Sequence, residues 1–150
     1  MNKIFSIPKV RFFFIPILIL LVFVRCDDEE IPFPYVHIDA TLYIDTQLGN
    51  MLIDQYVYID GYGLGGLIIY RKSEAEYLAF DRACTYEANR SCKLEDDDTF
   101  SGILQCPCCG SKFWMTGNDL AGSNYQGPAS APLKQYNCYL SGINTLIIRN

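Results

Sequence analysis

The sequence predicts a small all-β domain, a sandwich or barrel, on three observations. Eight runs of four to nine residues rich in β-branched, aromatic and Leu residues are divided by Gly, Pro and Asn turn signals. No long stretch shows helical periodicity. Five of the 7 cysteines fall between Cys84 and Cys109, a density that means disulfides, a metal site, or both. A length of 150 residues fits one domain.

The chain opens on a basic leader, Lys3, Lys9 and Arg11, and then runs apolar from Phe12 to Val24 apart from Pro16. That run falls short of the roughly 20 residues a spanning helix needs. It fits a secretory signal over residues 1–25. Cys26, followed by Asp27, Asp28, Glu29 and Glu30, resembles the lipidated first residue of a bacterial lipoprotein, with Arg25 where that pattern has a small residue. An uncleaved short anchor and a different cut are the alternatives. The acidic run resembles the one that sends lipoproteins of some Gram-negative bacteria to the cell surface. The expected location is extracytoplasmic, lipid-anchored in a bacterial membrane, at the outer membrane or cell surface. Residues 26–35 then form a lipidated acidic tether, stiffened by Pro32 and Pro34, and residues 36–150 form the domain. From Cys26 on, 8 basic residues face 17 acidic ones, a formal charge of −9. Such a surface repels phosphate backbones, so nucleic acid is excluded as a partner and a basic or neutral redox protein is not.

Within the domain, strands are expected over Val36–Tyr43, Met51–Ile59, Leu67–Tyr70, Tyr77–Phe80, Ile103–Cys106, Lys112–Met115, Tyr136–Leu140 and Thr145–Arg149. Tyr56 and Tyr58 share a face if that run is extended. Gly61–Gly66 reads as a turn, because it lacks the lysine and the following helix of a phosphate loop. Glu95–Asp98 reads as a solvated acidic loop. Cys138 is expected in a strand as a buried free or bridged cysteine, His37 at the surface, and Trp114 in the core.

The segments "AFDRACTYE" (Ala79 to Glu87) and "CPCCGSKF" (Cys106 to Phe113) resemble the two ligand loops of Rieske [2Fe–2S] proteins. "GPASAPL" (Gly127 to Leu133) is similar to the proline loop that covers the cluster there. The resemblance spans roughly Gly61 to Asn150 and implies a Rieske-like sandwich or barrel with a ligand-loop lobe. It implies metal ligands at Cys84, Tyr86, Cys106 and Cys109, a Cys92–Cys108 disulfide clamping the loops, and a covering loop at Gly127 and Pro128. A bridge over 16 residues contributes about 3 kcal/mol in the chain-entropy model. In Rieske centres two thiolates hold one iron and two imidazoles the other. Here Tyr86 and Cys109 stand at the histidine positions, and the single histidine, His37, lies far upstream.

Three readings are open. The first is an electron-transfer [2Fe–2S] cluster with Cys84, Cys106 and Cys109 as thiolates and Tyr86 or Cys92 as fourth ligand, its potential drawn toward about −400 mV by the added negative charge. The second is a cluster-free, disulfide-stabilised binding or structural module, with Cys84 joined to Cys106 or Cys109. The third is a structural zinc site of Cys84, Cys92, Cys106 and Cys109. The Cys106-x-x-Cys109 spacing also mimics a redox-active dithiol, but Pro107 and Gly110 predict a turn where such motifs open a helix. Nothing in the sequence supplies a catalytic acid, base or nucleophile, so the chain reads as an electron carrier or non-catalytic module more than as an enzyme.

Overall fold

The computed structural model describes residues 32–150. The leader, the lipidation candidate Cys26 and the acidic run lie outside the described residues. Among the described residues no helix is long and apolar enough to cross a membrane.

Among the described residues ten strands follow in order: β1 Asp39–Tyr43, β2 Tyr56–Ile59, β3 Leu67–Arg71, β4 Tyr77–Asp81, β5 Glu95–Asp96, β6 Ile103–Gln105, β7 Lys112–Trp114, β8 Asn124–Gln126, β9 Gln135–Leu140 and β10 Thr145–Arg149. They make an antiparallel six-stranded sheet ordered β1-β10-β9-β4-β3-β2 and a smaller antiparallel sheet ordered β5-β6-β7-β8. The fold is all-β, a large sheet carrying a smaller lobe.

Two cores explain the sequence pattern. Ala40 and Leu42 of β1 and Leu146 and Ile148 of β10 alternate inward, as a strand solvated on one face requires. β3 is buried on both faces. Its Leu67 and Ile69 enter the core beneath the large sheet, while Ile68 and Tyr70 enter a second core against the small lobe. That double burial is why "LIIY" is unbroken apolar sequence. β4 does the same with Ala79 on one side and Phe80 on the other. The second core also takes in Cys84, Cys92, Cys106, Phe113 and Met115, so the cysteine loops stand on packed apolar ground.

Several local expectations are corrected. The Met51–Ile59 run is a strand only from Tyr56, because Asp54 adopts a left-handed backbone (φ 69°) and its N–H bonds the Arg71 carbonyl as part of a turn. The run from Val36 becomes strand only at Asp39. A π-helical turn, Ile44–Leu48, leaves β1, and the Gln47 side chain accepts the Tyr43 N–H at 2.7 Å. The acidic loop is not simply solvated: Glu95–Asp96 is an edge strand on β6, and Asp97 is buried. The Asp97 carboxylate accepts the N–H groups of Thr99 and Phe100 and pairs with Lys112 on β7, which holds its carboxyl below the usual range. Trp114 is not core. It sits half-buried on the outside of the lobe, its ring 4.7 Å from that of exposed Tyr125. Tyr56 and Tyr58 do share a face, with ring centroids 5.8 Å apart, and 61–66 is a turn region.

Candidate metal centre

Three loops meet at one end of the lobe. The first, residues 82–92, leaves β4 and folds back as an irregular hairpin: the Cys84 N–H bonds the Cys92 carbonyl at 3.0 Å, and the Leu94 N–H bonds the Arg82 carbonyl at 2.8 Å. The second, residues 106–111, joins β6 to β7 in a tight turn closed by Cys106 N–H to the Ser111 carbonyl (2.8 Å) and Gly110 N–H to the Cys106 carbonyl (2.9 Å). Gly110 has φ 75°, a conformation that excludes most side chains, so the glycine after Cys109 is what lets the turn close. The third, residues 127–134, links β8 to β9 and is bonded to both others. The Ala129 N–H donates to Ser111 Oγ at 3.0 Å, and the Thr85 hydroxyl donates to the Ala131 carbonyl at 3.1 Å. Gly127 has φ 103°, and a Cβ there would stand 2.5 Å from Ser111 Cα, so the third loop lies directly on the second.

The sulfur atoms of Cys84, Cys106 and Cys109 converge, all within 4.8 Å of one another, with Cys84 and Cys109 3.6 Å apart. All three are free thiols, the first two buried. Cys92 and Cys108 are bonded to each other beside them, which removes Cys92 from any ligand set while the bridge is closed. Tyr86 is 47% exposed, and its backbone N–H acts to lower the Cys84 thiol against the upward push of burial. Pro128 is exposed while Ala129 and Leu133 are buried, so the cover is made by the residues after Gly127–Pro128 more than by that pair. His37 is exposed and joins no ligand cluster among the described residues. Cys138 lies in β9 as a half-buried free thiol, its pKa pushed up to about 12 by burial.

Electrostatics separate the thiols. Burial raises Cys84 strongly, and contacts with Cys106 and Cys109 add to this against the Tyr86 N–H. Burial also acts upward on Cys109, but the hydroxyl and N–H of Ser111, with the Cys84 and Cys106 thiols, outweigh it and bring it below its ordinary value. Ser111 Oγ therefore accepts from the Ala129 N–H and from the Cys109 thiol (3.1 Å), and its own hydroxyl hydrogen can turn to that sulfur once it is a thiolate, coupling cover to ligand. With iodoacetamide near pH 8 and no metal present, Cys109 is expected to alkylate first, with Cys84 and Cys138 far behind, as read by mass spectrometry of the peptides. Faster labelling of Cys138 than of Cys109 would contradict the assigned order.

Sequence reasoning missed Ser111, Thr85 and the buried carboxylate of Asp81, which sits three residues before Cys84. Ser111 had a signal, the Gly-Ser step inside "CPCCGSKF"; Thr85 and Asp81 had none.

Whether a metal group fits can be tested on the donors. A two-cysteine, two-histidine centre does not fit, since no imidazole is in the cluster. A thiolate-held centre does: three free sulfurs face one another, and Ser111 favours the thiolate at Cys109.

The fold and the site define a small β protein with a cysteine-lined loop cluster able to hold a metal ion. No family model matches the chain, and no curated protein matches it. Among solved structures it is similar to the Sphingomonas yanoikuyae B1 ferredoxin, at 18% identity over 75% of this chain and 98% of that one, with a TM-score of 0.44. It is also similar to a chain in the complex of reduced oxygenase and oxidized ferredoxin in carbazole 1,9a-dioxygenase, at 17% identity over 65% of this chain and 92% of that one, with a TM-score of 0.40.

Proposed function

We propose that this chain is a lipid-anchored redox carrier whose iron–sulfur centre is held by thiolates in place of the Rieske imidazoles. The observation that carries this reading is the convergence of Cys84, Cys106 and Cys109 as free thiols beside a disulfide that excludes the other two loop cysteines. Tyr86, exposed two residues after Cys84, would supply the fourth ligand. When bound, such a centre supplies one-electron transfer, at a potential nearer about −400 mV than the Rieske range. The chain's own residues do the rest. Ser111 fixes Cys109, the Cys92 carbonyl holds the Cys84 N–H, and the 127–134 loop, tied to Thr85 and Ser111, keeps water from the buried sulfurs.

The lipid anchor gives this arrangement a direction. Pro32 and Phe33 line an open groove with Thr85, Pro132 and Lys134, so the N-terminal segment enters beside the loops. Pro32 lies six positions after Cys26, a reach of at most roughly 22 Å. With Cys26 lipidated, the centre works close to the membrane surface, where it meets an electron-transfer partner.

A second reading is a single tetrahedral ion such as zinc. The 3.6 Å Cys84–Cys109 contact favours it, because metal–sulfur bonds of about 2.3 Å place tetrahedral sulfurs about 3.8 Å apart. Ligands on opposite irons of a cluster stand farther apart than this.

Anaerobic purification of the full chain in detergent separates these readings, through the visible spectrum together with iron, acid-labile sulfide, zinc and free-thiol content. Brown protein with about two irons per chain, lost in Cys109→Ser, is the expected result. One zinc per chain without colour replaces it with the second reading. Colourless, metal-free protein whose Cys84, Cys106 and Cys109 are oxidised sinks both and leaves a disulfide-stabilised module.

A further inference from the structure

Outside the three-thiol cluster, a second group of ligand atoms comes together on the first loop. Glu87, Cys92 and Cys108 present a carboxylate oxygen and two sulfurs within 4.8 Å of one another. With the bridge closed this group offers no thiolate. Even so, Glu87 Oε2 stands 3.1 Å from Cys92 Sγ, although a half-cystine has no hydrogen to give it. The contact is held from the side. The Asn89 amide donates to Glu87 Oε2 at 3.2 Å and to Cys92 Sγ at 3.3 Å, while Asn89 Oδ1 accepts the N–H groups of Ser91 and Cys92. Asn89 thus fixes a carboxylate against a disulfide.

We propose that Glu87, Cys92 and Cys108 form a redox-gated site for a soft divalent cation of the zinc type, closed while the bridge is intact and opened by a dithiol reductant. In the opening step the two thiols of the reductant become its disulfide, giving two electrons and two protons, and Cys92–Cys108 becomes two thiols. The cation then displaces both thiol protons to solvent and is held by two thiolates and the Glu87 carboxylate, with water in the fourth position. The sulfurs must part to about 3.8 Å to share one tetrahedral ion. Cys108 is exposed and has room to swing, while Cys92 is 3% exposed and stays anchored in the second core. The cation also relieves the repulsion that would set a carboxylate against two thiolates, so binding favours the reduced form by mass action.

Cadmium titration of the full chain in detergent tests this, before and after reduction with a phosphine, following thiolate-to-cadmium absorption. Reduction is expected to add one equivalent, and Glu87→Gln to weaken that equivalent about tenfold while leaving the first unchanged. Cys109→Ser is expected to remove the first equivalent and keep the second, so failure at the three-thiol cluster and failure here are told apart. The proposal is overturned by equal stoichiometry before and after reduction. An added equivalent indifferent to Glu87→Gln overturns it as well, since unfolded thiols would bind that way.

Discussion

Asp81→Ala is expected to destabilise the domain by about 3–5 kcal/mol, the cost of breaking a buried, hydrogen-bonded charge network. Asp81 is fully buried at the end of β4. Its carboxylate accepts four hydrogen bonds, from the N–H groups of Leu64 (2.6 Å), Gly65 (2.9 Å) and Ala83 (2.8 Å) and from the Tyr136 hydroxyl (2.7 Å). One side chain thus ties the 61–66 turn, the root of the first cysteine loop and β9 together. Burial, and then the carboxylate beside it, push the Tyr136 phenol well above its ordinary value, so it remains a donor across the working pH range. Alanine leaves four donors without that acceptor. Urea unfolding should show the loss as a lower midpoint at unchanged slope. Asp81→Asn should fall between, since one acceptor oxygen survives while the amide turns hydrogens toward the remaining donors. A midpoint for Asp81→Ala within experimental error of the wild type would mean that the turn is held by other contacts.

The large sheet was legible because its physics is local. Alternation in β1 and β10 and the apolar run of β3 follow from which faces are buried, and burial writes itself into the pattern. The small lobe was only partly legible. β5 is made of Glu95 and Asp96, and β8 of Asn124, Tyr125 and Gln126, so their pairing comes from neighbouring strands and not from propensity. Asp97 looks like one more surface acid until Lys112, 15 residues on, is folded over it. The same holds at the site. Cysteine spacing marks Cys84, Cys106 and Cys109 as chemistry-bearing residues, but their convergence depends on three loops meeting through Ser111 and Thr85. Those contacts span 18 and 46 positions, and no short window of sequence contains them.

Removing the bridge with Cys92→Ala and Cys108→Ala is expected to lower stability by about 3 kcal/mol, on the order of 10 °C in Tm. The bridge closes a separation of 16 residues, and the loop entropy it removes belongs to the unfolded chain. The folded β structure should therefore give an unchanged far-ultraviolet spectrum below the transition. Wild-type protein held in reductant should melt close to the double variant. The effect on the sulfur cluster is separate and enters through the backbone. Cys108 precedes Cys109, and the Cys92 carbonyl holds the Cys84 N–H, so the bridge limits how far two of the three converging sulfurs can part. Loaded with cadmium at the three-thiol cluster, the double variant should therefore release it to a chelator faster than wild type at a temperature where both are folded. If Tm falls but the release rate does not change, the clamp acts on the unfolded chain alone, and the geometry of the three thiols is set by Ser111, Thr85 and the loop that covers them.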